Sequence, residues 1–377
     1  MKVTLVRSRA IDPAINKVAN ALSKKGYDVK LLVWDRNGNK QVENSDGVII
    51  HRFGFRAPHD KPKVMFYLPI WWMYEFLFLI KDDAAIMHVC DLDTLIPAIF
   101  VKLIKKNKLC YTIYDFYAGN LSNKFPYRFR KFVAFMELFG IRFTDVLFLV
   151  DECRYEQVKG AKITDVAYIY NSPPEYYFSV KNRHNPNNEA ELNLFYAGII
   201  HKSRGLEYMI KAISDINCRM TIAGIGDIED LLKNIPIDVK NKIMYIGQIS
   251  YEKVIEKSME SDVLFAFYEP ITPNNRYASP NKLFEAMMCG KPIIINSGIA
   301  ASKIVLEERC GIVVPYGDID EIRDAIIMLR DDPNLRKTFG ENGRRAYEKR
   351  YSWELMESRL INAYRKLEDS NLTKSLR

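Results

Sequence analysis

The sequence alternates short runs of β-branched and aromatic residues with longer stretches of helical periodicity, in both halves of the chain. Parallel strands need a long crossover connection, usually a helix, so this order of elements predicts an α/β fold with parallel sheets. The predicted strands cover residues 3–6, 29–34, 48–51, 85–89, 109–114, 146–150, 192–197, 219–223, 242–246, 263–267, 292–295 and 312–314.

A polar stretch without periodicity, residues 181–191, interrupts this alternation and contains Asn-Pro-Asn-Asn. A chain of 377 residues is also too long for one compact core. We therefore predict two domains of similar βα character, the first over residues 1–175 and the second over residues 190–350. Beyond residue 320 the pattern is helical, and a final amphipathic helix begins near Tyr351-Ser352-Trp353.

Composition and charge are those of an ordinary globular protein, with 48% hydrophobic residues, 27% charged residues and a net charge of +8. This charge is compatible with an acidic ligand such as a nucleotide diphosphate, or with an anionic membrane surface. No aromatic-rich strand motif or recognition-helix pattern indicates nucleic acid as a partner. The longest apolar run, residues 64–80, contains Glu75 and is shorter than the roughly 20 residues of a membrane span.

The six cysteines are dispersed and form no CxxC pair, which is typical of small buried side chains in a reducing compartment. The five histidines do not cluster with them, so no zinc site is predicted. The chain opens with a strand rather than with a signal peptide. We predict a cytoplasmic location, including the inner face of the membrane.

Two segments of the second half place a helix N-terminus after a strand. Gly198 ends the strand at residues 192–197, and a short loop carrying Arg204 leads into the next helix. Ser279-Pro280-Asn281-Lys282 precedes another helix, with Lys282 in its first turn. A lysine there opposes the helix dipole unless an anion is bound, so this segment predicts a phosphate site. The alternatives are an ordinary βα turn for the first segment and a surface ion pair of Lys282 with Glu285 for the second.

The run Ser-Pro-Asn-Lys-Leu-Phe-Glu-Ala-Met at residues 279–287 resembles the donor-site helix of retaining glycosyltransferases of the family-4 type almost residue for residue. Residues 88–94, 223–226 and 351–353 are also similar to that family. The resemblance implies the GT-B fold, in which two Rossmann-like domains with parallel sheets face a cleft. It also implies that the final helix, residues 352–377, crosses back to the first domain.

The resemblance further implies roles for individual residues. The first domain would bind the acceptor, and the second would bind a UDP- or GDP-linked sugar. The residues expected to bind the donor are Gly198, Arg204, Gly226, Gln248, Ile249, Asn281, Lys282, Leu283 and Glu285. The residues expected to act in catalysis are Asp115, Arg204 and Lys282, and those on the acceptor side are His88, Asp91 and Tyr117. No cofactor or metal is expected, because protein cations would neutralise the diphosphate.

Three positions depart from the family pattern. Ile199 stands where an arginine is common, and Tyr277 stands where the first of two glutamates is common. A tyrosine also replaces the histidine that often follows the fifth strand, which leaves Asp115 as the nearest polar candidate. Asp115 is equally compatible with a turn or capping role. A non-catalytic partner subunit that keeps the fold and a nucleotide-sugar epimerase therefore remain alternatives to a transferase.

Residues 124–139 combine an aromatic face (Phe125, Phe129, Phe132, Val133 and Met136) with a basic stripe of Lys124, Arg128 and Lys131. This pattern indicates either a helix lying on an anionic membrane or a helix covering the first domain's sheet. We interpret residues 64–80 as a helix that covers the sheet, with its aromatic side chains in the core. A glycan or lipid-linked acceptor, as used in surface polysaccharide or glycoconjugate synthesis, would suit such a peripheral enzyme.

Overall fold

The computed structural model describes the chain except for residues 11, 59–60, 122–124, 177–190, 234 and 376–377. It forms two compact units, which are residues 1–170 with 356–377, and residues 171–355. Most of the polar stretch at residues 181–191, and Lys124 of the basic stripe, lie outside the described residues. None of the described helices is long and apolar enough to span a bilayer.

Unit 1 is built on an eight-stranded sheet of order β3-β4-β2-β1-β5-β6-β7-β8. All neighbouring strands are parallel except β3, which pairs with β4 in antiparallel register. The six strands predicted in this half are confirmed, and the two edge strands β3 and β8 were not predicted. The strands are β1 Lys2–Arg7, β2 Asp28–Trp34, β3 Val42–Ser45, β4 Val48–Phe53, β5 Ile86–Cys90, β6 Lys108–Ile113, β7 Val146–Leu149 and β8 Val166–Tyr168.

The helices of residues 1–170 are α1 Pro13–Lys24, α2 Lys61–Val64, α3 Leu68–Lys81, α4 Leu92–Lys105 and α5 Tyr127–Ile141. Short 3₁₀ turns lie at Met65–Tyr67, Tyr117–Asn120 and Glu152–Gln157. Helices α3, α4 and α5 bury one face each against the same core, which includes Trp34, Trp71 and Tyr111. Trp71 of α3 stacks on Trp34, the last residue of β2, at a ring-centroid distance of 5.7 Å, and this contact holds α3 against the end of that strand.

Unit 2 is built on a six-stranded parallel sheet of order β11-β10-β9-β12-β13-β14. The six strands predicted in this half are confirmed. They are β9 Leu192–Ala197, β10 Cys218–Ala223, β11 Ile243–Tyr245, β12 Val263–Ala266, β13 Ile293–Asn296 and β14 Gly311–Val314. The sequence order reverses between β9 and β12, and ligands of open α/β sheets bind outside the carboxyl ends of the strands at such a switch point.

The helices that follow are α6 Leu206–Ala212, α7 Ile228–Leu232, α8 Ile237–Lys240, α9 Tyr251–Glu260, α10 Pro273–Arg276, α11 Asn281–Cys289, α12 Ala301–Glu308, α13 Ile319–Asp331, α14 Pro333–Ala346 and α15 Trp353–Ser375. A 3₁₀ turn, Lys202–Arg204, precedes α6, and a π turn, Tyr347–Tyr351, follows α14. From Met356 onward α15 belongs to unit 1. Tyr364 of α15 is fully buried there and meets the ring of Tyr27 edge-on at 5.6 Å.

Candidate functional site

Glycines form the carboxyl edge of the unit 2 sheet, directly after β9 and β10. Gly198, Gly224 and Gly226 have φ values of 154°, 139° and 149°, which side chains rarely adopt. A Cβ on Gly224 would lie 1.8 Å from the carbonyl oxygen of Gly198, and one on Gly226 would lie 2.0 Å from that of Ile200. The two turns therefore pack backbone against backbone. Gly226, predicted as a donor-binding residue, is required here by this close approach.

Arg204 lies at the switch point between β9 and β12. Its guanidinium carbon sits 4.0 Å from the ring centroid of Tyr268, which follows β12. Asn296, at the end of β13, is fully buried and fixes Tyr268, accepting from its backbone N–H at 2.7 Å and donating to its carbonyl at 3.0 Å. Arg204 therefore rests on an aromatic ring whose position is set by two strands. Its Nη1 is buried and has no hydrogen-bond partner within the described part of the chain.

Lys282 occupies the first turn of α11 and reaches back to the same switch point. Its ammonium nitrogen lies 4.6 Å from the ring centroid of Tyr196, at the end of β9. A Cβ on Gly198 would come within 2.7 Å of that nitrogen, so a side chain there would displace the lysine ammonium. The Tyr196 hydroxyl is turned away and donates to the Ile199 carbonyl at 2.8 Å. Lys282 and Arg204 are thus brought to one end of the β9–β12 pair.

The start of α11 carries no side-chain cap. Pro280 is the N-cap residue and has no side-chain group that could cap the helix, and the buried hydroxyl of Ser279 has no hydrogen-bond partner among the described residues. Within the part of the chain described, neither Arg204 nor Lys282 has a carboxylate within salt-bridge distance. Two cations and an uncapped helix N-terminus therefore meet without an acidic side chain to neutralise them. Such an arrangement is suited to an anion.

The remaining residues predicted to bind the donor differ in their burial and hydrogen-bond partners. Glu285 is 5% exposed and accepts a 3.0 Å hydrogen bond from the Tyr251 hydroxyl, and burial together with Glu285 raises the pKa of Tyr251. Asn281 accepts from the Asn171 side chain at 2.7 Å. Gln248 is exposed and Ile249 half-buried on the loop after β11.

Leu283 does not suit a donor-binding role. Its side chain is fully buried in the core, and its backbone N–H already donates to the Pro280 carbonyl at 3.0 Å. We leave it out of the proposed site. The sequence pattern identified the segment, but it did not separate residues that face a ligand from residues that anchor the helix.

At the carboxyl edge of the unit 1 sheet, charges neutralise one another. The Arg7 guanidinium, 3% exposed at the end of β1, donates to Asp12 at 2.7 Å and to Asp91 at 2.5 Å. It also lies 4.8 Å from the ring centroid of Tyr114. Despite burial, these carboxylates hold the pKa of Arg7 well above its usual value. Asp91, predicted on the acceptor side, adopts a left-handed φ of 63° and also accepts from the Tyr114 N–H at 2.9 Å.

Asp115 and Tyr117 follow β6 at the same edge. The Asp115 carboxylate is 40% exposed and lies 3.4 Å from the buried Arg154 guanidinium. Tyr117 donates its backbone N–H to Glu137 at 2.8 Å, and Tyr111 donates its hydroxyl to the same carboxylate at 2.9 Å. Burial raises the pKa of Glu137 to about 8. Asp115 therefore carries the accessible carboxylate of this turn, and the buried Glu137 holds the turn in place by accepting from the Tyr117 N–H.

His88 is in the core and not on an acceptor surface. It is 1% exposed, and its two ring nitrogens bond to Tyr364 and Thr112, each at 2.6 Å. Phe148 stacks on the ring at 5.0 Å. Burial lowers the pKa of His88 to about 3, so the ring is neutral near pH 7. The acceptor-side prediction for His88 is wrong because α15 covers the position.

Sequence reasoning missed Tyr196, Tyr268, Asn296 and Tyr251, which frame the two cations and Glu285. Tyr268 follows directly after the predicted strand at residues 263–267, and Asn296 directly after the one at 292–295. A polar or aromatic residue at the carboxyl end of a strand next to the switch point was the available signal.

Residues 179–346 match the sequence profile of the family described as "Glycosyl transferases group 1". This stretch covers most of unit 2 and contains both cations. Unit 2 is therefore similar to the group 1 glycosyl transferases, and the match covers less than half of the chain. Among curated relatives, a GDP-mannose-dependent monoacylated alpha-(1-6)-phosphatidylinositol monomannoside mannosyltransferase of Corynebacterium glutamicum is 29% identical over 168 residues, or 42% of this chain and 43% of that protein. The chain thus spans about half the length of the curated relatives that it matches.

Solved structures match nearly the whole chain. Sucrose-phosphate synthase from Thermosynechococcus elongatus is 17% identical with a TM-score of 0.81, covering 98% of this chain and all of that one. Anabaena HepE in complex with UDP and glucose is 13% identical with a TM-score of 0.72, covering 97% of this chain and 99% of that one. These likenesses show the fold of the chain, and the GT-B prediction is confirmed.

Proposed function

We propose that this chain transfers a sugar from a nucleotide-diphosphate sugar to a glycan or lipid-linked acceptor. The observation that carries the proposal is the pair of cations, Arg204 and Lys282, which meet at the uncapped start of α11 with no carboxylate partner among the residues that the structure describes. Two neighbouring cations at a switch point are expected to bind a ligand that carries two negatively charged groups. A diphosphate meets that requirement.

The donor in this proposal is linked to UDP or GDP. Both possibilities have support among similar proteins, since HepE was solved with UDP and glucose, and the Corynebacterium relative is described as GDP-mannose-dependent. Glu285 would hydrogen-bond the ribose hydroxyls, exchanging the Tyr251 hydroxyl for a ligand hydroxyl or sharing it. Gln248 and Ile249 would contact the base from the loop after β11.

The proposed reaction retains the configuration of the transferred sugar. The acceptor hydroxyl attacks the anomeric carbon from the face that the diphosphate leaves, and the oxygen of the β-phosphate takes the acceptor proton. Arg204 and Lys282 stabilise the negative charge that develops on the diphosphate. Because two fixed cations supply this stabilisation, the proposal includes neither a metal nor a cofactor.

The acceptor side of the proposal rests on unit 1. Asp115 is its exposed carboxylate and would orient an acceptor hydroxyl, with Tyr117 beside it in the following turn. Asp91 would act by positioning, because its oxygens already bind Arg7 and the backbone of the Asp115 turn. Synthesis of a surface polysaccharide or glycoconjugate at the cytoplasmic side of an anionic membrane, with contact through residues 124–139, completes the proposal.

Two other functions compete with transfer. A non-catalytic partner subunit would keep the fold and lack turnover, and the tyrosine at position 277 is compatible with it. An epimerase would need acids and bases beside the sugar. The segment at residues 281–285, which resembles the donor-site helix of glycosyltransferases, favours transfer, which is why we place transfer first.

Thermal-shift measurements with UDP, GDP and their sugars test the proposal. We expect one nucleotide to raise the unfolding temperature and its sugar to be consumed when an acceptor extract is added. Stabilisation by a nucleotide without any turnover would point to the partner subunit. Stabilisation by none of them would overturn the proposal.

A further inference from the structure

Helix α3 presents an apolar stripe to solvent while it buries a carboxylate. The stripe consists of Phe66, in the 3₁₀ turn that leads into α3, and of Ile70, Met73 and Leu77 of α3. These residues are spaced by three or four positions and are 84%, 42%, 62% and 46% exposed. Glu75, on the opposite face, is completely buried. Because Leu68, Trp71 and Leu79 are also buried, this helix is apolar on its exposed face as well as on its buried face. An exposed apolar face of this kind is expected where a protein contacts a membrane or another apolar surface.

The stripe continues across two neighbouring helices. The indole nitrogens of Trp71 and Trp72 both donate to the Asp93 carbonyl at the start of α4, at 3.1 and 3.0 Å, and Lys105 at its end bonds carbonyls at the end of α3. A Cβ on Gly140 of α5 would meet Leu95 of α4 at 2.7 Å. The three helices therefore lie side by side. We name their exposed apolar side chains the apolar platform: Phe66, Ile70, Met73, Leu77, Phe100, Leu103, Ile104, Tyr127, Phe132, Phe135 and Phe139.

On α5 the exposed stripe differs from the face predicted from sequence. Phe132, Phe135 and Phe139 are exposed by 57%, 59% and 41%, whereas Val133 is buried against the sheet. Arg128 precedes this stripe and Arg142 follows it, at helical spacing. The Arg142 guanidinium lies 4.9 Å from the ring centroid of Phe139. Cations therefore flank the aromatic stripe at both of its ends.

On the three helices of the apolar platform and at their caps, the exposed charges have one sign; the exposed Asp83, two residues beyond the end of α3, is paired with Lys2. The carboxylates on α3, α4, α5 and their caps are all buried or half-buried, and they are Glu75, Asp82, Asp91, Asp93 and Glu137. The exposed charged side chains on the same helices and caps are Lys81, Lys106, Arg128, Lys131 and Arg142. A partner for this surface must accept apolar side chains and carry negative charge around them. Anionic lipid in a bilayer surface has both properties.

We propose that the apolar platform is a membrane-docking surface for anionic lipid, in which α3 inserts its apolar stripe and the basic residues of α5 bind headgroups. This extends the membrane-contact part of the proposed function from residues 124–139 to three helices. The proposal assigns insertion to the exposed face of α3, a helix that the sequence predicted only to cover the sheet with its aromatic side chains in the core. An acceptor anchored in that bilayer would be presented to the same unit that carries Asp115.

Vesicle co-sedimentation tests this inference with the full chain. The vesicles are phosphatidylcholine alone and phosphatidylcholine with about one third phosphatidylglycerol. We expect binding to the anionic vesicles that weakens with added salt. The double variant Phe66→Asp with Met73→Asp should lower this binding by about tenfold or more, because charged residues replace the inserting side chains. Ile237→Asp with Leu306→Asp, at positions 72% and 61% exposed in unit 2, is the matched control and should bind like the unaltered chain.

Each contrary outcome is distinguishable. Equal binding by the α3 variant and the control would overturn the role of α3, and so would binding lost only in Arg128→Ala with Lys131→Ala. Absence of vesicle binding, with a dimer in light scattering that the α3 variant dissociates, would make a second copy of the chain the occupant. Nucleotide thermal shifts on the same samples separate this inference from the proposed function, because the α3 variant should keep them.

Discussion

The two sheets end in opposite electrostatic situations at their switch points. In unit 1 the Arg7 guanidinium between β1 and β5 is bound by Asp12 and Asp91, and little of it reaches solvent. In unit 2 Arg204 and Lys282 meet at the β9–β12 edge with aromatic rings as neighbours, and no described carboxylate lies within salt-bridge distance of either. The same topological position is therefore used for structure in one unit and left for a ligand in the other. Neutralised charge stabilises a fold, whereas charge that is left unneutralised can bind.

The glycine turns give the largest expected effect. Gly224→Ala would place a Cβ 1.8 Å from a backbone oxygen, so the unit 2 edge must shift. We expect a loss of unfolding free energy above about 4 kcal/mol in urea denaturation. Gly247→Ala is the matched control, since its φ is +70° but no atom lies within 4 Å of the added Cβ. It should cost about 1–2 kcal/mol, and equal losses would contradict the close-packed edge.

Arg7→Ala should have the next largest effect, which is a loss of unfolding free energy. It leaves Asp12 and Asp91 without their common cation, which typically costs about 3–5 kcal/mol for a buried pair. Arg219→Ala provides the control, because Arg219 is 59% exposed in its pair with Glu191 and should change stability by about 0–1 kcal/mol. Similar values for the two variants in urea titrations would remove the contrast between the two switch points.

Lys282→Met should lower activity without lowering stability, in contrast to Arg7→Ala. We expect transfer to slow by about 10²–10³-fold, or ~3–4 kcal/mol, because charge on the leaving diphosphate loses a fixed cation. Without nucleotide, thermal stability should be unchanged or higher, since an unpaired cation is removed. Lys337→Met, at a side chain 75% exposed, controls for the substitution. Stability that falls as it does in Arg7→Ala would mean that Lys282 is structural.

The smallest effect is a pH dependence of unit 1. The pKa of His88 is lowered to about 3 by burial, against 6.5 in the unfolded chain. Between these values the unfolded state binds the extra proton, so stability falls as pH drops below about 6.5. Relative to His88→Gln, the unaltered chain should lose ~2 kcal/mol between about pH 7 and 5 in urea titrations. Parallel pH profiles for the two proteins would show that the ring is not held neutral.

The sequence predicted those parts of the fold that depend on local pattern. Strand and helix alternation identified the inner strands of both sheets, and the Lys282 segment was recognised from its turn and helix start. It missed β3, a short polar edge strand whose four residues, Val-Glu-Asn-Ser, carry little apolar pattern. It also missed contacts between distant positions, such as Arg7 with Asp91, because these depend on which strands become neighbours.

One prediction failed and another was incomplete, for the same physical reason. His88 sits at a strand end that looks accessible in sequence, but Tyr364, 276 residues later, covers and bonds it. Residues 64–80 look uniformly apolar, so the sequence could not show that Met73 faces solvent and Glu75 the core. In both cases the deciding fact is what packs on the element. The roles of Arg204, Lys282, Glu285 and Asp115 stay predictions.

The central claim is that the unpaired cations of unit 2 bind a nucleotide diphosphate. Calorimetric titration of UDP and GDP into the unaltered chain, Arg204→Ala, Lys282→Met and Lys337→Met tests it most directly. We expect binding of one nucleotide by the unaltered chain and by Lys337→Met, with affinity lower by about tenfold or more in the other two, as for lost charge-assisted contacts. Affinity unchanged in both Arg204→Ala and Lys282→Met, or no nucleotide binding at all, would contradict the account.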